Sequence, residues 1–131
     1  MIDPQPLLAV TPGVPAGIGP ELLLQVHRYH PEFRVVAVAA PALQRRTAEP
    51  AGMDVVVREW QAGDPLADGE LACLPTRLAR DVEPGRPDPV NAAYVLDTLR
   101  RATALVRDGH AAALVTGPVH KLSLIHISEP T

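Results

Sequence analysis

The chain has 131 residues, enough for one small domain with a substantial core, and its 47% apolar and 21% charged content is that of a soluble globular protein. The formal net charge of −3 comes without a Lys/Arg cluster that would suit nucleic acid or an anionic membrane surface. The single cysteine, Cys73, excludes an internal disulfide framework, and no apolar run is long enough to span a bilayer. The N-terminus lacks the basic-then-apolar order of a signal peptide, so a cytoplasmic protein is expected.

Leu7 to Val10 is a short apolar run, and the stretch Thr11-Pro-Gly-Val-Pro-Ala-Gly-Ile-Gly-Pro-Glu21 follows it. Leu22 to Val26 then opens an amphipathic segment, so the order reads strand, glycine-rich loop, helix. Pro20 suits the first helical position, where its missing N–H costs nothing. Gly13, Gly17 and Gly19 open backbone angles closed to other residues, positive φ among them, and let a ligand approach the main chain. They are the candidate cofactor-binding positions. The spacing is neither G-x-G-x-x-G nor a P-loop, three prolines remove N–H donors, and Glu21 takes the favourable end of the helix dipole. A structural turn and a ligand-contacting edge both fit these residues, whereas a pyrophosphate cradle fits them poorly.

Leu22, Val26 and Tyr29 recur at helical spacing with Leu23 widening the stripe, and Pro31 ends the helix. Val35 to Ala39 reads as a strand covered on both faces, and Pro41 opens a short helix closed by Pro50 and Gly52. Val55 to Val57 is a third strand, Gln61 to Gly69 a loop, and Leu71 to Leu74 a short fourth strand. Arg77 to Pro87 is charged and turn-rich, an exposed connection. The longest helix has Asp88 as its N-cap, Pro89 in its first turn and Gly109 at its C-terminus, with Val95, Leu99, Ala102 and Val106 on one face. Ala111 to Val115 follows as another buried strand. Apolar strands alternating with helices predict an α/β fold, a mostly parallel sheet with flanking helices and ligands beyond the carboxyl ends of its strands.

Two motifs give this reading a family. Thr11 to Glu21 resembles the N-terminal signature of the 4-hydroxythreonine-4-phosphate dehydrogenases of vitamin B6 (pyridoxal phosphate) biosynthesis, and Ala113-Leu-Val-Thr-Gly-Pro-Val-His-Lys121 resembles the same family's internal motif. The first is also similar to the glycine loop of isopropylmalate and isocitrate dehydrogenases, so the resemblance implies a truncated version of that dehydrogenase fold. One departure is Val14, which stands where the family usually has an acid. The resemblance implies an oxidoreductase that uses NAD or NADP. It would oxidise the secondary alcohol of 4-phosphooxy-L-threonine to a β-keto acid, which then loses carbon dioxide. It also implies a divalent metal (Zn, Mg or Co) acting as a Lewis acid and a homodimer, with a phosphorylated small molecule as the partner rather than nucleic acid or membrane.

Thr116, Gly117, His120 and Lys121 follow the last strand. Lys121 could pair with a substrate phosphate, Thr116 could contact substrate, and His120 could exchange a proton near neutral pH; a Gly-Pro turn with a solvated lysine explains the same residues without chemistry. His27 and His30 have a spacing compatible with metal ligation, but no further ligand is signalled, so no metal site is assigned. His110 is expected to interact with the preceding helix end, and Cys73 to be an inert core residue.

After Lys121 the family pattern stops. Residues 1–121 read as the N-terminal part of the dehydrogenase fold, and residues 122–131 as a non-family tail resembling a translated sequencing adapter. The family's metal histidines, its G-H-T-E substrate motif and its main dinucleotide contacts have no counterpart in this chain. A relative acting on another four-carbon hydroxy-acid phosphate, or a non-catalytic α/β ligand-binding module, would carry the same two motifs.

Overall fold

The computed structural model describes residues 6–30, 32–67, 69–78, 85–86 and 88–117. Five strands, β1 (Leu7–Thr11), β2 (Arg34–Ala39), β3 (Val56–Glu59), β4 (Glu70–Pro75) and β5 (Ala113–Thr116), form one sheet in the order β3-β4-β2-β1-β5. Every pairing is parallel, with Val10 opposite Ala37 and Val115, and Ala37 opposite Cys73. Helices α1 (Gly19–Tyr29), α2 (Pro41–Ala48) and α3 (Ala92–Arg107) flank it. No helix among the described residues is long and apolar enough to cross a membrane.

The pleat sorts side chains to two faces. Val10, Val35, Ala37, Ala39, Leu71 and Cys73 meet Leu23 and Leu24 of α1 and Ala48 of α2 on one face. Ala9, Val36, Val38, Ala72 and Leu74 meet Ala102 and Leu105 of α3 on the other. A third cluster, Ala40, Leu43, Tyr94 and Val95, ties the start of α2 to the start of α3. There the buried Tyr94 hydroxyl accepts from the Ala40 N–H at 3.1 Å, and burial raises its pKa.

Several expectations are corrected. In α1 the buried leucines are Leu23 and Leu24, while Leu22 and Tyr29 are exposed, because a run of three leucines offers two possible stripes and packing selects one. That helix starts at Gly19, one residue before Pro20. Asp88 caps a single 3₁₀ turn, Pro89–Asn91, accepting from Val90 N–H at 3.0 Å before α3 begins. The β3 strand runs from Val56, not Val55, and lies at a sheet edge. As expected, a loop joins it to β4, with no helix among the described residues, and the buried Trp60 at its start fills the α3 face. The expected buried strand after α3 is the other edge: Ala111 is buried but precedes the strand, and every residue of β5 is exposed.

Candidate functional site

The strand order reverses at β1: β2, β4 and β3 lie to one side and β5 to the other. In open parallel sheets such a reversal places a crevice at the carboxyl ends of the two strands involved, and that is where ligands bind. Here these ends are Thr11 and Thr116, paired across the ladder. The two motifs meet at this point.

The junction is tight. The Thr11 hydroxyl, fully buried, donates to Thr116 Oγ1 at 3.0 Å, and Thr116 Oγ1 donates to the Gly117 carbonyl at 3.0 Å. The Gly117 N–H donates to the Thr11 carbonyl at 2.7 Å. Two glycines then close on one peptide unit. A Cβ on Gly19 would lie 2.6 Å from the Pro12 carbonyl carbon, one on Gly117 would lie 2.7 Å from it, and both would sit closer still to its oxygen. Real Cβ atoms do not approach backbone so closely. Gly19 and Gly117 are therefore steric requirements, which corrects the expectation of positive φ at Gly17 and Gly19: within the loop only Gly13 is left-handed, at φ 77°. Gly17 is exposed, its N–H donates to the Val14 carbonyl at 3.0 Å, and its nearest neighbour would lie 3.4 Å from an added Cβ.

Two contacts brace the loop from outside. The Gly85 N–H donates to the Ala16 carbonyl at 2.8 Å, so part of the connection expected to be merely exposed leans on the loop. The buried Gln44 of α2 donates through Nε2 to the Pro20 carbonyl at 3.2 Å, while its Oε1 has no hydrogen-bond partner among the described residues. A cavity of about 490 Å³ lies beside these braces, walled by Pro15, Ala16 and Pro20 and by Leu43, Arg46 and Thr47.

Among the candidates, Gly13, Gly17, Gly19 and Thr116 are gathered at the β1/β5 junction, and Thr116 is exposed to solvent there. His120 and Lys121 lie outside the described residues. His30 Nδ1 is 3.0 Å from Glu32 Oε1, and half-burial lowers the His27 pKa; no group of three or more His, Cys, Asp or Glu among the described residues could hold a metal ion. His110 meets the end of α3 through its backbone, its N–H donating to the Leu105 carbonyl at 2.9 Å. Cys73 is buried in the core, as expected, and desolvation pushes its thiol up to about 12. Thr11 and Pro12 were read only as part of the loop motif, Gly117 only as a turn residue after the last strand, and Gln44 only as part of a short helix. Only Gln44 carried no signal, since a glutamine inside a short helix reads as surface.

The family model described as pyridoxal phosphate biosynthetic protein PdxA matches residues 31–128. The chain belongs to that family. A 4-hydroxythreonine-4-phosphate dehydrogenase from Chromobacterium violaceum is 43% identical over 117 residues, covering 89% of this chain and 36% of the relative. One from Thioalkalivibrio sulfidiphilus is 41% identical over 119 residues, again covering 36% of the relative. The crystal structure of a 4-hydroxythreonine-4-phosphate dehydrogenase from Burkholderia phymatum shares the fold, with a TM-score of 0.85 at 21% identity over 97% of this chain and 40% of that one. The chain thus spans little more than a third of the length of the curated relatives it matches.

Proposed function

We propose that this chain is the N-terminal part of an NAD(P)- and divalent-metal-dependent 4-hydroxythreonine-4-phosphate dehydrogenase of pyridoxal phosphate biosynthesis, and that it is inactive by itself. The observation that carries the reading is the junction of the two motifs at the carboxyl ends of β1 and β5, together with membership of the family. The complete enzyme would oxidise the secondary alcohol of 4-phosphooxy-L-threonine and release carbon dioxide from the resulting β-keto acid.

In this reading the residues here build one wall of the site. The Gly13–Gly19 edge borders the dinucleotide, and Thr116 faces the substrate. Pro12, Pro15 and Glu21 argue against seating a pyrophosphate directly on the loop, since they remove donors or add negative charge. The described residues do not fit a metal ion, so no step is assigned to one; the ligands would come from sequence that this chain does not share with its relatives. Lys121 would take the substrate phosphate and His120 a proton. The complete enzyme is expected to be a cytoplasmic homodimer.

The test has two arms. The purified chain, given 4-phosphooxy-L-threonine, NAD and a divalent metal, should form no more NADH than an enzyme-free control; turnover above it defeats the inactivity claim. The uninterrupted coding sequence recovered from the source DNA should continue into metal-ligating histidines and yield an active enzyme, and a continuation without them would defeat the family function.

A further inference from the structure

The hydroxyl pair at the junction has a fixed proton order. Thr11 is fully buried, and among the described residues its hydroxyl meets only Thr116 Oγ1, at 3.0 Å. A buried hydroxyl proton without an acceptor is costly, so Thr11 is the donor of that bond. Thr116 then sends its own proton elsewhere, and the Gly117 carbonyl lies 3.0 Å away. Both ends of this relay are held in place. The Gly117 N–H is bonded to the Thr11 carbonyl at 2.7 Å, and Gly117 is packed against the Pro12 peptide too closely for any Cβ. A hydroxyl has one proton and two lone pairs. At Thr116 the proton and one lone pair are committed, and the lone pair that remains is what this exposed residue offers at the carboxyl end of β5. Such a group accepts a hydrogen bond and does not give one.

We infer that Thr116 recognises an N–H or O–H donor of the substrate, and that Thr11 is the positioning residue that leaves it only that choice. The inference rests on the reading that Thr116 faces the substrate, and it adds the kind of group met there. Carboxylates and fully ionised phosphates carry acceptor oxygens only, so neither pairs with a hydroxyl whose proton is already placed. Those groups need cations or backbone N–H donors instead. 4-Phosphooxy-L-threonine brings two donors, its ammonium group and the secondary hydroxyl that is oxidised. Both suit a single lone pair, and kinetics tell them apart.

The proton order is tested on the purified chain. By proton NMR in water the Thr11 hydroxyl proton should be protected from exchange and close in space to the Thr116 side chain; a proton lost to solvent exchange overturns the inference. Recognition is tested on the enzyme encoded by the uninterrupted sequence. Thr11→Val with Thr116→Val removes both hydroxyls and orphans neither, and kcat/KM should fall about tenfold. Thr11→Val alone should lower it in part, and Thr11→Ser, which keeps the donor, should recover most of it. Inhibition by inorganic phosphate should be the same in every variant. A loss confined to KM that vanishes with the substrate lacking its amino group assigns the ammonium as the donor. A loss in kcat that persists with that analogue assigns the hydroxyl. If the double variant does not fold, the two Thr11 variants decide. Unchanged kcat/KM, weakened phosphate inhibition, or Thr11→Ser as impaired as Thr11→Val overturns this inference alone. An uninterrupted enzyme without dehydrogenase activity overturns the proposed function and this inference with it.

Discussion

Gly19→Ala offers the sharpest test of how the loop is held. The added methyl would lie 2.6 Å from the Pro12 carbonyl carbon and nearer still to its oxygen, and the obstacle is backbone rather than a side chain that can swing away. Relief requires α1 and the Thr11–Gly13 segment to separate, yet Leu23 and Leu24 anchor α1 to the core, and Thr11 is held in the sheet by its pairing with Thr116. Overpacking of this kind costs roughly 1–3 kcal/mol, and the upper end applies where neither partner can yield. For a domain of this size that is a fall of roughly 10 °C in Tm. Gly17→Ala is the internal control. Its Cβ would meet nothing nearer than 3.4 Å and its φ is not positive, so its effect should stay within about 0.5 kcal/mol. Denaturant unfolding followed by circular dichroism measures both. Equal effects at the two positions would refute the steric account and restore glycine flexibility as the reason for the motif.

Gln44→Met should be close to neutral, within about 1 kcal/mol, because it removes a single hydrogen bond to Pro20 and a buried, unpartnered Oε1 together; a loss above roughly 2 kcal/mol in urea unfolding would mean that Oε1 is satisfied after all. Gln44→Glu should destabilise strongly at neutral pH and recover in acid, where the protonated carboxyl can again donate to the Pro20 carbonyl; pH-independent loss would refute this. Burial raises the Cys73 thiol from its ordinary 9.0 to about 12, so the native state favours the protonated form. Its contribution is complete below pH 9.0 and is lost at about 1.4 kcal/mol per pH unit as pH climbs toward about 12. Cys73→Ala should remove that slope from the alkaline stability profile. For His27 burial lowers the pKa below 6.5, so the neutral ring favours folding above that value, and the contribution is lost as pH falls through it. His27→Gln should flatten the acid limb near pH 6, and an unchanged limb would show that the ring is equally solvated in both states.

Much of the sheet could be read from the chain because central parallel strands are covered on both faces and so read as unbroken apolar runs. Val35 to Ala39 and Leu71 to Leu74 are of this kind, and both lie in the core. The same reasoning misjudged the strand after α3. Ala111 to Val115 is as apolar as β2, but an apolar run reports suitability for burial and says nothing about whether a neighbour is present to provide it. The β3-to-β4 connection, Gln61 to Gly69, was read as a loop, and its described residues hold no helix. A parallel crossover normally brings a helix, and here Trp60 supplies the covering surface that a helix would have given.

The site was legible as two motifs but not as one junction. Each motif announces its glycines, and local rules assign a glycine to turns, positive φ or ligand approach. None of those rules can show that Gly19 and Gly117, nearly a hundred positions apart, are required by the same Pro12 carbonyl. That requirement appears only when the strand order sets β5 beside β1, because β5 must reach the sheet at the register that pairs Thr116 with Thr11. The hydroxyl pair then follows from geometry: two threonines opposite one another on parallel strands share a face, and the buried one needs a partner. The glycine loop is therefore shaped by the second motif as much as by its own residues. A substitution at Gly117 should disturb Gly19 and the start of α1 even though no part of the local sequence links them.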